Sequence, residues 1–261
     1  SFHSSGLRAA VPFICMLAAT GMHGPAGAQT YPQKPVRLVV GVPPGGTTDV
    51  VARLVGQKLG EQLGQQVVIE NRGGAGGNIG AELVAKAAPD GYTLFLATIG
   101  TMTINPNLYS KMPFDTLRDF AAISQLTSMP QLLVVHPSVP AKTVKELIAY
   151  AKSRPGQLNF ASGGGGTAIH LAGELFKTMA GVDMVHVAYK GSGSAMTDLI
   201  AGQVSLMFDQ ILTSLPYVQN GRLRGLAVTK GKRSPAAPQI PTISEAALPG
   251  YDVTTWHGLL A

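Results

Sequence analysis

Short continuous apolar runs alternate with stretches of helical spacing along most of this chain. Val36–Val40 is the first such run, of the kind found where both faces of a parallel sheet are covered. Asp49–Leu63 then sets Val50, Val51, Leu54, Val55, Leu59 and Leu63 on one helical stripe. Val67–Ile69 predicts a second strand, Asn78–Ala87 a second helix entered through Gly73–Gly77, and Tyr92–Thr98 a third strand. The order βαβαβ implies right-handed crossovers and a parallel sheet. Ligands of such sheets sit at the carboxyl ends of the strands, where the loops 41–49, 72–78 and 98–105 would gather.

From about Leu132 the same grammar starts again. Strand Leu132–His136 precedes Pro137 and Pro140, and a capping box, Thr143 with Glu146, opens a helix. Strand Leu158–Ala161 runs into Ser162–Thr167, which holds four glycines, and Ala168–Met179 has helical spacing. Strand Met184–Ala188, helix Ser194–Ala201, strand Val204–Phe208, helix Ile211–Val218 and strand Leu223–Val228 complete a second α/β unit. Two such units, each with a glycine-rich strand-to-helix turn, predict two lobes facing one cleft.

The first of these turns, Pro43–Asp49, builds an anion seat. Glycines let the backbone pass close to a ligand, and the first N–H groups of the following helix have no internal partners and carry the positive end of its dipole. Gly45, Gly46, Thr47 and Thr48 can grip one carboxylate, and Ser162, Gly164, Gly166 and Thr167 another group from the opposite lobe. Asp49 either faces the ligand or occupies the first helical turn, where the dipole favours a carboxylate. His170 lies on the helical face of Thr167 and either looks into the cleft or packs within its helix. Asp209 ends its strand at the carboxyl edge, as a ligand contact or as the cap of the helix near Ile211. Thr98, Thr101 and Thr103 follow the third strand and offer hydroxyls to the same cleft.

Other chemistries find no support. The first turn lacks the lysine of a nucleotide phosphate loop, and neither Ser192 nor Ser194 sits in a hydrolase elbow. His136, His170, His186 and His257 are too far apart for a local metal motif, so no catalytic or metal residue is assigned.

Composition changes the picture at the amino terminus. Arg8 precedes the apolar stretch Ala9–Gly21 and Ala26-Gly27-Ala28 gives a small-x-small site, so residues 1–28 read as a secretory signal peptide cut after Ala28. The apolar run is shorter than the roughly 20 residues of a membrane span. Its loss removes Cys15, the single cysteine, and with it any disulfide, thiolate catalysis or cysteine metal site. The formal net charge of +6 is scattered, and Lys230, Lys232 and Arg233 read as a solvated loop rather than a nucleic-acid patch. At the other end Trp256–Ala261 is an apolar run that stops as though mid-strand, and the chain opens on Ser1, which together read as a fragment.

Several segments together resemble one family. Pro43-Pro-Gly-Gly-Thr-Thr-Asp49, Asn71-Arg-Gly-Gly-Ala-Gly-Gly-Asn78, Pro89-Asp-Gly-Tyr-Thr93, His170-Leu-Ala-Gly-Glu-Leu-Phe176 and Tyr189-Lys-Gly191 are similar to the Bug proteins, periplasmic solute receptors of tripartite tricarboxylate transporters. The resemblance runs from about Tyr31 to Ala261. It implies a type II periplasmic-binding-protein fold, a two-lobed "Venus flytrap" whose lobes are each a mostly parallel sheet flanked by helices. Lobe 1 is then residues 31–131 plus 251–261, and lobe 2 residues 132–250. The resemblance also implies that helices returning to the first lobe lie beyond Ala261, leaving that lobe incomplete here.

By the same resemblance the two glycine turns hold ligand carboxylates, partly through ordered waters, and Asp209 reads an amine or hydroxyl. No cofactor or metal is implied. Two departures alter the pocket: Gly41-Val42 stands where the family shows Pro-aromatic, and Gly163 and Gly165 stand where Ser and Asn are common. The expected function is a monomeric periplasmic receptor, not an enzyme, that takes a small organic carboxylate to membrane permease subunits. The rival expectations are a secreted enzyme of the same fold acting on a carboxylate and a ligand sensor for a signalling partner.

Overall fold

The computed structural model describes residues 31–261, so the segment read as a signal peptide lies outside the described residues. In chain order the elements are β1 (Val36–Val40), α1 (Thr47–Leu63), β2 (Val67–Asn71), α2 (Asn78–Ala85), β3 (Thr93–Thr98), α3 (Asn105–Leu108) and β4 (Ala122–Val135). There follow α4 (Val144–Lys152), β5 (Asn159–Ser162), α5 (Ala168–Ala180), β6 (Val185–Ala188) and α6 (Ser192–Ile200). The chain then forms β7 (Leu206–Gln210), α7 (Ile211–Gln219), β8 (Arg224–Val228), α8 (Ile243–Ala246) and β9 (Thr254–Leu260). Among the described residues no helix is long and apolar enough to cross a membrane.

The predicted βαβαβ start is present: β1 pairs in parallel with both β2 and β3. Alternation within these strands feeds two cores. Leu38, Val40, Leu94 and Leu96 face α1 with Val51 and Ala52, whereas Val39, Phe95 and Ala97 face α2 with Ala81 and Val84. Leu54, placed on the α1 stripe by its spacing, is 57% exposed, because the helix turns a narrower face to the sheet than its apolar content suggests.

The second unit repeats the design. β5 pairs in parallel with β6 and β7, and β4 runs antiparallel to β7 and β8. Leu133, Val135, Phe160 and Phe208 go to one core and Leu132, Val134, Ala161 and Met207 to the other. The Thr143 hydroxyl accepts the Glu146 N–H as predicted, but the Glu146 carboxylate takes the Lys142 N–H at 2.7 Å rather than closing the box on Thr143. A full capping box stands instead at Thr242 and Glu245, on α8.

β4 joins the two sheets. Its first half, Ala122–Pro130, pairs with β9, and from Gln131 onward it pairs with β7 and β8. β9 in turn lies antiparallel to β3. One strand thus passes from one half of the molecule to the other, and β9 lies beside the crossing.

Candidate functional site

The carboxyl ends of β1, β2, β3, β5, β6 and β7 open on one cleft of about 1000 Å³. One wall is made by Gly41–Pro44, Gly73–Gly77, Thr98–Gly100, Leu108 and Tyr109, and the opposite wall by Gly163–His170, Ala188–Ser192 and Gln210. Thr255 and Trp256, at the start of β9, line the cleft between them. Among the described residues no aspartate or glutamate lines this cleft and Lys190 is the one lysine or arginine that does. No group of three or more metal-ligating side chains is present among the described residues.

Six of the expected site residues meet here: Thr48, Thr98, Gly164, Gly166, Thr167 and His170. The second turn is shaped by its glycines. Gly164 and Gly166 have φ of 132° and 77°, a region that side chains rarely enter. Thr167 caps α5 by accepting the His170 N–H at 3.3 Å, and its hydroxyl donates to the Gly164 carbonyl at 2.8 Å. Ala168 and Ile169 follow on the cleft wall, where the first N–H groups of a helix lack internal acceptors.

Thr48 is held from behind. Its hydroxyl lies 3.1 Å from His257 Nε2, and His257 Nδ1 lies 2.7 Å from the Thr127 hydroxyl. Burial pushes the His257 imidazole down to about 4, so it is neutral and donates from one nitrogen only. The relay ties the first turn to both β4 and β9.

The middle of the first turn faces a seam beside the cleft. Gly45 and Gly46 line a second, smaller cavity of about 370 Å³ with Asp209, Thr213 and Ser192. A Cβ on Gly46 would lie 2.3 Å from Ser192 Oγ, so the turn touches α6 of the opposite half directly. Thr47 Oγ1 and Thr213 Oγ1 bond across the same seam at 2.7 Å, and Thr213 donates onward to Asp209 Oδ2 at 2.5 Å. In this structure Gly45, Gly46 and Thr47 thus pack against Ser192, Gly193 and Thr213 of the other half.

Asp209 sits in the same seam. It is fully buried, and burial drives its carboxyl up to about 7 despite bonds from Thr213 and Gln210. The cap of α7 is Gln210, not Asp209. Asp49 takes the first-helical-turn reading. Burial would raise its carboxyl, but bonds from Arg53, Asn71 and the Gly45 N–H, with the Arg53 charge, hold it below the ordinary value. Thr101 and Ser162 are also buried behind the walls: Thr101 donates to the Gly76 carbonyl and Ser162 accepts the Gly164 N–H.

Asp49 thus organises the loop rather than touching the cleft. Its carboxylate takes Gly45 N–H at 3.1 Å and Asn71 Nδ2 at 3.0 Å, and Asn71 also donates to the Val42 carbonyl. Asn71, Val42 and Pro43 line the cleft. Asp49→Asn is expected to weaken ligand binding about tenfold by loosening this loop, as read by calorimetry. The effect should be flat above pH 4, because a depressed carboxyl stays ionised down to and below its ordinary value of 3.8. Unchanged affinity would remove Asp49 from the site.

Several lining residues were not expected from sequence. Gln210 follows Asp209 at a strand end, and the strand-end rule that singled out Asp209 covers it too. Tyr109 lies in a segment with no helix-start or glycine signal, Tyr189 and Lys190 stand just before Gly191 at the start of α6 and entered only as part of a family motif, and Trp256 comes from the far end of the chain.

The model of the tripartite tricarboxylate transporter family receptor matches residues 51–261. The chain belongs to this receptor family. BugT of Bordetella pertussis is 37% identical over 246 residues, which are 94% of this chain and 76% of BugT. The receptor is also similar to a solved structure of R. palustris Rpa4515 with adipate, at 42% identity and TM-score 0.87 over 88% of this chain and 77% of that one. MatC from Rhodopseudomonas palustris with bound malate gives 37% identity and TM-score 0.83, over 88% and 79%. The receptor is thus of the Bug type, with the two-lobed periplasmic-binding-protein fold that the motifs implied.

Proposed function

We propose that this protein is the periplasmic receptor that captures a small organic carboxylate between its lobes and presents it to the membrane permease subunits of a tripartite tricarboxylate transporter. The observation that carries the reading is the charge of the cleft: no aspartate or glutamate lines it among the described residues, while Lys190, threonine hydroxyls and the α5 N-terminus do. Such a wall attracts an anion and repels none. The carboxylates held by Rpa4515 and MatC belong to the same chemical class. Lobe 1 is taken as residues 31–131 plus 251–261 and lobe 2 as 132–250, with β4 and the segment into β9 as the connections. Thr48, Thr98, Gly164, Gly166, Thr167 and His170 are taken as the residues that surround the ligand in the cleft.

Capture without turnover fits the side chains. Ser162 Oγ lies 2.6 Å from His186 Nε2, a distance suited to a nucleophile and its base. The serine is nonetheless completely buried, and its hydroxyl is committed to Gly164. A substrate in the cleft does not reach it. Calorimetry and thermal shift with adipate, malate and their neutral esters are expected to show binding of the acids and a raised Tm, with no response to the esters. Stabilisation by sugars or cationic amino acids, and by no acid, would overturn the proposal.

A further inference from the structure

Two histidines flank the second glycine turn. The parallel register of β5 and β6 sets Phe160 opposite His186, and the two rings stack with centroids 4.9 Å apart. His170, in the first turn of α5, stacks on His186 at 3.9 Å and 17° and lies 6.4 Å from Phe160. The result is a cluster of three near-parallel rings, Phe160, His186 and His170, beside the turn Ser162–Thr167.

Each imidazole holds one end of that turn. Ser162 Oγ donates to the Gly164 carbonyl, so its single proton is used and His186 Nε2, 2.6 Å away, donates to it. At the other end His170 Nδ1 accepts the Gly166 N–H at 3.2 Å. Its proton therefore sits on Nε2, which faces Glu174 Oε1 at 3.7 Å. With the Gly164 carbonyl and the Gly166 N–H occupied, the groups left for a ligand are Gly165 and the first N–H groups of α5.

We infer that His170 and His186 are positioning residues that lock the second glycine turn in its anion-binding shape through the Gly166 N–H to His170 Nδ1 bond. The lock exists only while His170 is uncharged. A proton on Nδ1 would set two donors, the ring and the Gly166 N–H, against each other, and would place a charge in the stack against His186. The charged and titratable groups around His170 are Glu174 and Lys177 on α5 and His186 on β6. Burial lowers both imidazoles, and for His170 the Glu174 carboxylate does not reverse this. The turn is therefore locked at neutral pH and released in acid, below the ordinary histidine range. This inference rests on the carboxylate reading for its effect on ligand, but not for its effect on the turn.

The test compares wild type with His170→Asn, whose Oδ1 takes the place of Nδ1, and His170→Phe, which keeps a ring and has no acceptor. In the absence of ligand, hydrogen exchange at pH 7.5 is expected to show Gly166 protection about tenfold lower in H170F and within about threefold of wild type in H170N. Adipate affinity by calorimetry is expected to follow the same order. Between pH 7.5 and 4, a span that runs well below the ordinary histidine range, wild type should lose more affinity than H170N, since the ligand's own protonation is common to both. Equal Gly166 protection in wild type and H170F, or identical pH profiles in wild type and H170N, would overturn the inference. If wild type binds no acid at all, the receptor reading falls, and the exchange measurement still decides the role of His170.

Discussion

Asp209→Asn is expected to stabilise the protein, and by about 3 kcal/mol more at pH 8 than at pH 5. Asp209 ends β7 with one oxygen bonded to Thr213 and the other, Oδ1, without a partner. Burial raises its carboxyl from an ordinary 3.8 to about 7, so the folded protein holds a proton that the unfolded chain releases between those values. Below 3.8 both states are protonated and nothing is lost. Each pH unit from there to 7 removes about 1.4 kcal/mol of stability, and above 7 the loss is complete and constant. Asparagine keeps the acceptor for the Thr213 hydroxyl and carries no charge to bury. Urea unfolding of both proteins at pH 5 and pH 8 measures the difference. A gain that is equal at the two pH values, or a loss at both, would show that the carboxylate is accommodated in the fold without strain on its ionisation.

The second large effect is expected in the core under the site. Gly173 lies on α5 directly over Phe160, and a Cβ there would stand 2.3 Å, 2.6 Å and 2.9 Å from three atoms of the ring. Phe160 has no room to move: it is completely buried, and His186 stacks on it. Gly173→Val is expected to destabilise by about 3 kcal/mol, the upper part of the range for overpacking. The smaller Gly173→Ala regains about 1 kcal/mol from helix propensity and should lose less. Pairing either variant with Phe160→Leu, which removes the ring edge, is expected to recover part of the loss. A double-mutant cycle by urea unfolding reads that coupling. Additive losses would mean that α5 shifts away from the sheet as a body and that the contact is not what fixes its height.

Most of the alternating strands and helices could be read along the chain because each is set by neighbours within a few residues. Val36–Val40 and Thr93–Thr98 are apolar on both faces, and the structure buries both faces under α1 and α2. The first half of β4 had no such signature. Ala122–Met129 is half-buried or exposed and reads Ala-Ile-Ser-Gln-Leu-Thr-Ser-Met, with Pro130 following. It is a strand because β9, from the end of the chain, pairs with it, and Thr127 opposite His257 is one rung of that pairing. A local pattern has no means of recording a partner some 130 residues away in sequence.

The site divides in the same way. Both glycine turns were visible, since positive φ at Gly45, Gly164 and Gly166 and the bare first turns of α1 and α5 are local necessities. Which way each turn faces was not. The second turn opens on the cleft, whereas the first is divided: Pro43, Pro44 and Thr48 line the cleft, and Gly45 and Gly46 pack in the seam against Ser192 and Gly193. Nor does the spacing of His170 and His186 predict contact, because it is the parallel register of β5 and β6 that sets His186 beside Phe160 and within stacking distance of His170.

By itself, then, the chain determined its two α/β units, the glycine turns at their strand ends and the family motifs, because short-range sterics, helix capping and apolar alternation act between near neighbours. Tertiary structure alone decided that β4 passes between the halves, that Asp209 and Gly46 meet in the seam, that aspartate and glutamate among the described residues stay out of the cleft wall, and that two imidazoles stand beside the second turn. Those outcomes depend on strand pairing and burial between distant segments, which take effect only when the whole sheet has closed.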